Sequence, residues 1–115
     1  MNEKLQALAT WGCDVRGALE RFLEDEELYM TCLEMVVVDN AYEKLRNALT
    51  EGQMTEAFDY AHTLKGVLLN LGLTPMICIV EEIVEPLRGG ISEGLEESYE
   101  KLLDANEHLK CILGM

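Results

Sequence analysis

The chain of 115 residues contains two histidines, and one of them, His62, is placed where its side chain could act as a nucleophile. Each residue of a helix advances by about 100°. The alanine and leucine stripe between Ala57 and Leu68 therefore faces one way, and His62 projects away from it. We expect the imidazole to be exposed on the flank of its helix. A neutral imidazole has a nucleophilic nitrogen near pH 7.

The side chains three, four and seven positions from His62 share its helical face, and they would suit a histidine that carries a phosphoryl group. An ammonium one turn away could offset the charge of the phosphoryl oxygens. A glycine at i+4 leaves room beside the imidazole, although glycine within a helix costs about 0.5–1 kcal/mol relative to alanine. Apolar neighbours could contact a partner protein. These neighbours are Phe58, Asp59, Lys65, Gly66 and Leu69.

Spacing alone leaves other interpretations of these residues open. His62 could be a solvated helix histidine, Gly66 a site of close helix packing, and Lys65 one more surface charge. The second histidine, His108, lies between Glu107 and Lys110 in a polar stretch, and we expect it to be a solvated surface residue without partners.

The elements that must position these residues are predicted to be helices throughout. A short helix around Leu5 and Leu8 ends at Trp11-Gly12, and Asp14 is the predicted N-cap of a second short helix. A long helix is predicted from about Glu26 to Thr50. Its proposed packing face consists of Leu28, Met35, Val38, Tyr42, Leu45 and Leu49.

The histidine helix is predicted from about Thr55 to Leu71, with Gly72 closing it. Thr74-Pro75 indicates an N-cap followed by proline at the first position of the next helix, which Pro86 should end or kink. The core face of that helix is predicted as Met76, Ile79, Ile83 and Leu87. Ser92 is the predicted cap of the last helix, with an inner face of Leu95, Tyr99, Leu102, Asn106, Leu109 and Leu113.

Composition narrows the possible functions. Hydrophobic residues make up 49% of the chain, enough for one core in a single domain. A net charge of -13 disfavours binding to nucleic acid and to anionic membrane surfaces. The four cysteines form no CxxC pair, and we expect free thiols packed as small hydrophobic residues in a reducing cytosol. With no targeting or membrane-spanning segment visible, a cytoplasmic protein is expected.

The segment from Ala61 to Gly72, AHTLKGVLLNLG, closely resembles the signature of histidine-containing phosphotransfer (HPt) domains, which is His-x-x-Lys-Gly with a Leu-Gly pair ending the same helix. The similarity extends to about 100 residues, including the Glu51-Gly52 turn. It implies an antiparallel four-helix bundle over residues 25–113, with short capping helices in residues 1–24, forming one domain over residues 1–115. Met1 and the closing helix favour a free-standing protein over a domain cut from a hybrid kinase.

The resemblance also implies a function. His62 would accept a phosphoryl group from an aspartyl phosphate on a receiver domain and pass it to another receiver in a phosphorelay of two-component signalling. Lys65 would stabilise the phosphoryl charge and Gly66 would give steric access, while Phe58 and Leu69 contact the partner. Such a phosphocarrier is not itself an enzyme. It would be monomeric and need no cofactor, with Mg²⁺ only on the partner receiver. Its partners would be response-regulator receiver domains, a hybrid histidine kinase, or both.

Two other functions compete with this one. An HPt-like module could bind receivers or other helical partners without transferring phosphate. A metal-dependent bundle enzyme would need several inward carboxylate and histidine ligands, whereas the chain offers one pair, Asp59 and His62.

The sequence departs from the family pattern at the two positions after the glycine. Family members often have small or polar residues there, whereas this chain has Val67 and Leu68. Glu81, Glu82 or Glu85 of the following helix could place a repelling carboxylate near the phosphoryl group.

Overall fold

The computed structural model describes residues 2–115, so Met1, and the expectation that rests on it, lie outside the described residues. Seven helices and no strand occur in that range, which confirms the all-α prediction. Their bounds are α1 Glu3–Trp11, α2 Val15–Arg21, α3 Glu26–Val36, α4 Ala41–Thr50, α5 Met54–Asn70, α6 Thr74–Arg88 and α7 Glu96–Leu113.

The helices form an elongated bundle of 43 × 23 × 21 Å. Helix α5 packs between α4 and α6, and α6 packs against α7, so the histidine helix has neighbours on two sides. Short connections of three residues join α4 to α5 and α5 to α6, which makes these neighbours antiparallel. Helices α1 and α2 cap the bundle, with α1 against α7 and α2 against α3. Buried side chains from all seven helices share one core.

The predicted long helix over residues 26–50 is wrong, because residues 37–40 are not helical and separate α3 from α4. The proposed seven-residue stripe is wrong in its first half, where Leu28, Met35 and Val38 are exposed. The buried face of α3 consists instead of Tyr29, Leu33 and Val36.

Local chemistry explains the break. Three β-branched valines precede Asp39-Asn40, and all five residues have low helix propensity. The Asp39 carboxylate accepts a hydrogen bond of 2.8 Å from the Ala41 amide, a local bond that competes with the helix. The break frees the Val37 carbonyl, which accepts a hydrogen bond of 3.0 Å from Asn106 on α7.

Helices α6 and α7 begin away from their predicted caps. Thr74 is the first residue of α6, and its hydroxyl donates to the Gly72 carbonyl rather than capping the helix. Pro86 lies inside α6, which continues for two more residues. Helix α7 begins at Glu96 rather than after Ser92. Gly94 takes a left-handed backbone conformation (φ 74°), and a right-handed helix cannot pass through it. The predicted inner face of α7 is confirmed, since all six side chains are buried.

The C-terminal end of α5 is held by the N-terminal helices, and this fixes the helix that carries His62. The Arg21 side chain donates hydrogen bonds of 3.0 Å to the carbonyls of Leu69 and Asn70. The Tyr29 hydroxyl donates one of 2.7 Å to the Leu71 carbonyl. A helix end has unpaired carbonyls and a partial negative charge, so an arginine there stabilises it.

Gly72 makes a further contact of this kind possible. Its φ of 67° suits glycine, and a Cβ there would collide with the backbone of Asp14. Without that Cβ, the Asp14 amide approaches closely enough to donate a hydrogen bond of 2.8 Å to the Gly72 carbonyl. Asp14 also caps α2 as predicted, through its carboxylate and the Gly17 amide.

Candidate functional site

His62 lies in the middle of α5 and is exposed, as the helical spacing predicts. Ala57, Ala61, Leu64 and Leu68 of the same helix are buried and fix its rotation in the bundle. The imidazole therefore stands on the outer flank of a helix whose other side is anchored in the core. This placement exposes the His62 side chain to solvent.

Phe58 is in contact with the imidazole. The two ring centroids lie 5.4 Å apart with planes inclined by 21°, which is a stacked arrangement. The Phe58 ring is half-buried and packs against the core, and the guanidinium carbon of Arg88 lies 5.3 Å from its centroid. Arg88 comes from the last turn of α6. The structure thus connects α6 to His62 through an aromatic ring.

Lys65 is less exposed than expected. Its side chain retains 21% of its accessible surface, and its Nζ lies 3.5 Å from Oε1 of Glu81 on α6. Lys65 is thus not a free surface charge, because α6 passes close enough to pair with it. Of the three glutamates considered as neighbours of the site, Glu81 is the one that reaches Lys65. Glu82 pairs with Lys101, and Glu85 pairs with Arg88.

Gly66 has open space where a side chain would stand. It is exposed, its backbone is helical, and a Cβ built on it meets no atom within 4 Å. Close packing within the chain therefore does not require glycine at this position. Glycine lowers the stability of a helix, and no packing contact at Gly66 within the described residues compensates for that loss.

Apolar surface continues along α5 beyond His62. Leu69, about two helical turns after His62, is 48% exposed, and Val67 is 37% exposed. Val67 also lines an apolar groove of about 280 Å³ whose other wall includes Met35 of α3. Val67 lies about 140° around α5 from His62, so this groove opens on a different side of the helix from the imidazole. Val67 and Leu68 leave the imidazole accessible, since Leu68 is fully buried.

The ionisable groups with shifted pKa values lie in the core, away from this flank. Burial raises the pKa of Cys13 to about 12 and raises the pKa values of Tyr29, Tyr42 and Tyr99. Two of these phenols are hydrogen-bond donors in the core, Tyr29 to the Leu71 carbonyl and Tyr99 to the Tyr42 carbonyl. Their role is to hold helices together.

The second histidine, His108, is exposed as predicted but has a partner. Trp11 of α1 meets its ring edge-on, with the centroids 4.7 Å apart. The cysteines are free, as predicted, but Cys78 and Cys111 are exposed rather than packed. Within residues 2–115, no group of three or more histidine, cysteine, aspartate or glutamate side chains is arranged to hold a metal ion. None of the helices described there has the length and hydropathy to cross a bilayer.

The structure thus brings together His62, Phe58, Lys65 and Gly66 as the sequence predicts, and it adds two residues of α6. The sequence does not point to Arg88, and it indicates Glu81 only as one of three glutamates among which it cannot choose. Both contacts depend on how α6 is aligned against α5, and no periodicity within either helix encodes that alignment.

A sequence model of the Hpt domain family matches residues 19–110, which include α3 to α6 and every residue of the candidate site. No curated protein and no solved structure matches the chain significantly.

Proposed function

Because this chain belongs to the Hpt domain family, whose members carry out histidine phosphotransfer in phosphorelay signalling, we propose that His62 is its phosphoryl acceptor. The observation that carries the proposal is the exposed imidazole with empty space at Gly66 beside it. The other histidine, His108, lies against Trp11 of α1, and the residue four positions after it is Ile112 rather than a glycine.

The proposed reaction transfers a phosphoryl group from an aspartyl phosphate of a receiver domain to His62. The unprotonated nitrogen of the neutral imidazole attacks phosphorus, and an N–P bond forms as the bond between phosphorus and the aspartyl oxygen breaks. The receiver recovers its carboxylate. Transfer to a second receiver reverses these steps. Mg²⁺ and the groups that activate the phosphoryl donor are then supplied by the receiver, so the bundle acts as a phosphocarrier rather than an enzyme.

Lys65 is proposed to stabilise the phosphoryl charge. Lys65 follows His62 by one helical turn, and its ammonium is paired with Glu81 in a partly exposed ion pair, which is worth only about 0–1 kcal/mol. A phosphoryl group carries more charge than a carboxylate and can compete for the ammonium. Such a weak pair would not prevent Lys65 from turning towards the phosphoryl oxygens.

The partner surface is proposed to be mainly apolar. Receivers have acidic active sites, and the net charge of -13 gives this chain no general attraction for them. Leu69, which is 48% exposed and shares the helical face of His62, supplies apolar area next to the imidazole. A monomeric bundle in a reducing cytoplasm, with its four thiols free, fits this role.

Incubation with a panel of phosphorylated receiver domains tests the proposal. We expect an acid-labile, alkali-stable phosphoryl group on the wild-type chain and on His108→Gln, and none on His62→Gln. The two histidines are both exposed, so His108→Gln is a matched control for the loss of a surface imidazole.

Two results would contradict the proposal. Label retained by His62→Gln would move the acceptor to another residue. If His62→Ala binds receivers as tightly as the wild-type chain does, and neither the wild type nor any variant gains a phosphoryl group, the protein is the non-transferring module instead.

A further inference from the structure

We infer that Phe58 is a positioning residue for His62: its ring, held by Arg88, orients the imidazole for phosphoryl transfer. The inference rests on the proposed function of His62 and assigns Phe58 a different role from the partner contact that the sequence suggests. The observation behind it is a three-part stack on the outer flank of the bundle. The rings of Phe58 and His62 lie 5.4 Å apart, and the Arg88 guanidinium lies 5.3 Å from the Phe58 ring.

An exposed histidine on a helix needs such a neighbour if its ring is to keep one orientation. Exposed side chains change rotamer within picoseconds to nanoseconds. A phosphoryl acceptor reacts only when its nitrogen is aligned with the bond that breaks, so time spent in other orientations lowers the rate. A ring stacked on one face of the imidazole favours one orientation before the partner arrives.

Phe58 is suited to this role because it is itself restrained. Its ring is half-buried and packs against the core, which limits its own motion. The guanidinium of Arg88 adds a cation–π contact, and Arg88 is kept near by a pair with Glu85, Nε to Oε2 at 3.5 Å. A partly buried ring, rather than a free surface side chain, therefore faces the imidazole.

The same helix provides a matched control. Tyr60 is also an aromatic residue of α5 that packs against the core, and Lys44 lies 5.9 Å from its ring centroid. Tyr60 is two positions from His62 and thus lies on another side of the helix. Phe58→Leu and Tyr60→Leu each remove one ring with its cation contact, but only the first removes the stack on His62.

The orientation itself can be measured by nuclear magnetic resonance without any phosphodonor. We expect Phe58→Leu to shift the His62 ring C–H resonances downfield, since the ring current of the stacked phenyl is lost, and to leave those of His108 unchanged. Tyr60→Leu should move neither, and Phe58→Tyr should keep the wild-type shifts. Unchanged His62 resonances in Phe58→Leu would overturn the inference, whether or not His62 carries phosphate.

The consequence for transfer is measured with two phosphodonors, phosphoramidate and a phosphorylated receiver. We expect Phe58→Leu to slow phosphorylation of His62 by about two- to tenfold with both donors, the range expected from the loss of one aromatic pair. Phe58→Tyr should restore the rate and Tyr60→Leu should keep it. Arg88→Gln, a change at an exposed position that does not threaten the fold, should give a smaller loss in the same direction.

The outcomes separate this inference from the proposed function. If the wild-type chain gains no phosphoryl group on His62 from either donor, the proposed function fails and with it the kinetic part of the inference. If the wild-type chain transfers and Phe58→Leu transfers equally fast, the inference alone is overturned. A loss with the receiver but none with phosphoramidate would make Phe58 a docking contact and would also overturn it.

Discussion

Gly66 is a position where the structure predicts opposite effects on stability and on function. A Cβ at this position meets no atom within 4 Å, so a side chain can be added without collision inside the chain. Glycine inside a helix costs about 0.5–1 kcal/mol relative to alanine, and leucine has nearly the propensity of alanine. We therefore expect Gly66→Ala and Gly66→Leu each to raise the free energy of unfolding by about 0.5–1 kcal/mol. For a domain of this size the midpoint of thermal unfolding should rise by about 2–4 °C.

The same two substitutions should separate in phosphotransfer. Helical side chains lean towards the N-terminal end of their helix, so a long side chain at position 66 extends over the turn that carries His62. A methyl group stays near the backbone, whereas a leucine side chain covers the approach to the imidazole. We expect Gly66→Ala to keep most of the transfer rate and Gly66→Leu to lose at least about tenfold, or ~1.4 kcal/mol in the barrier.

The assay pairs urea or thermal unfolding, followed by circular dichroism, with transfer from a phosphorylated receiver. Thr63→Leu is the control, because residue 63 is exposed on the same helix but turned by about 100° from His62. It should keep the wild-type transfer rate. Normal transfer by Gly66→Leu would refute the access argument, and destabilisation by Gly66→Ala would refute the open space at this position.

Three further predictions concern the ion pair, a buried phenol and the thiols. Glu81→Gln should release Lys65 and raise the equilibrium yield of phosphohistidine by about 1.5- to fivefold, as expected for an exposed pair worth ~0.2–1 kcal/mol. An equal gain in a Lys65→Ala background would show that Glu81 acts by another route. Burial raises the pKa of Tyr29, so its contribution to stability is complete below about pH 10 and is lost as the pH rises towards the higher folded-state value. Urea unfolding between pH 8 and 11 should therefore show a steeper fall in the wild type than in Tyr29→Phe, and equal slopes would contradict this. Iodoacetamide at pH 8 should modify the exposed Cys78 before Cys13, whose pKa burial raises to about 12, and mass spectrometry that finds the reverse order would contradict the assigned burial.

The histidine helix could be predicted from the sequence because its signals are local and agree. Its apolar residues recur at helical spacing, Gly72 ends it, and the exposed position of His62 follows from the rotation per residue. The same holds for the inner face of α7 and for the cap at Asp14. In each case the residues on which the prediction depends lie within a single helix or its cap.

The break between α3 and α4 was missed because a seven-residue recurrence of apolar residues suggested a single helix. The recurrence from Leu28 to Leu49 is coincidental in its first half, since Leu28 and Met35 are exposed. The local signal was the valine run followed by Asp39-Asn40, whose low helix propensity outweighs the recurrence.

The contacts of the site with α6 could not be predicted for a different reason. Glu81 and Arg88 reach Lys65 and Phe58 only because α6 is aligned against α5 in one particular register. Side-chain packing between the two helices sets that register. The sequence of either helix alone is compatible with several alignments, and in each of them other residues would meet.

The anchoring of the end of α5 has a consequence for the boundary of the functional unit. The family match begins at residue 19 and omits α1 and the first part of α2, yet the Asp14 amide in the omitted part binds the carbonyl of Gly72. Arg21, the last residue of α2, donates hydrogen bonds to the carbonyls of Leu69 and Asn70. Trimming the chain to its matched residues would loosen α2 and let the last turn of α5 fray, only one or two turns from the reactive ring. The residues before position 19 thus support the end of the helix that carries His62, and we expect a stable minimal domain to include them.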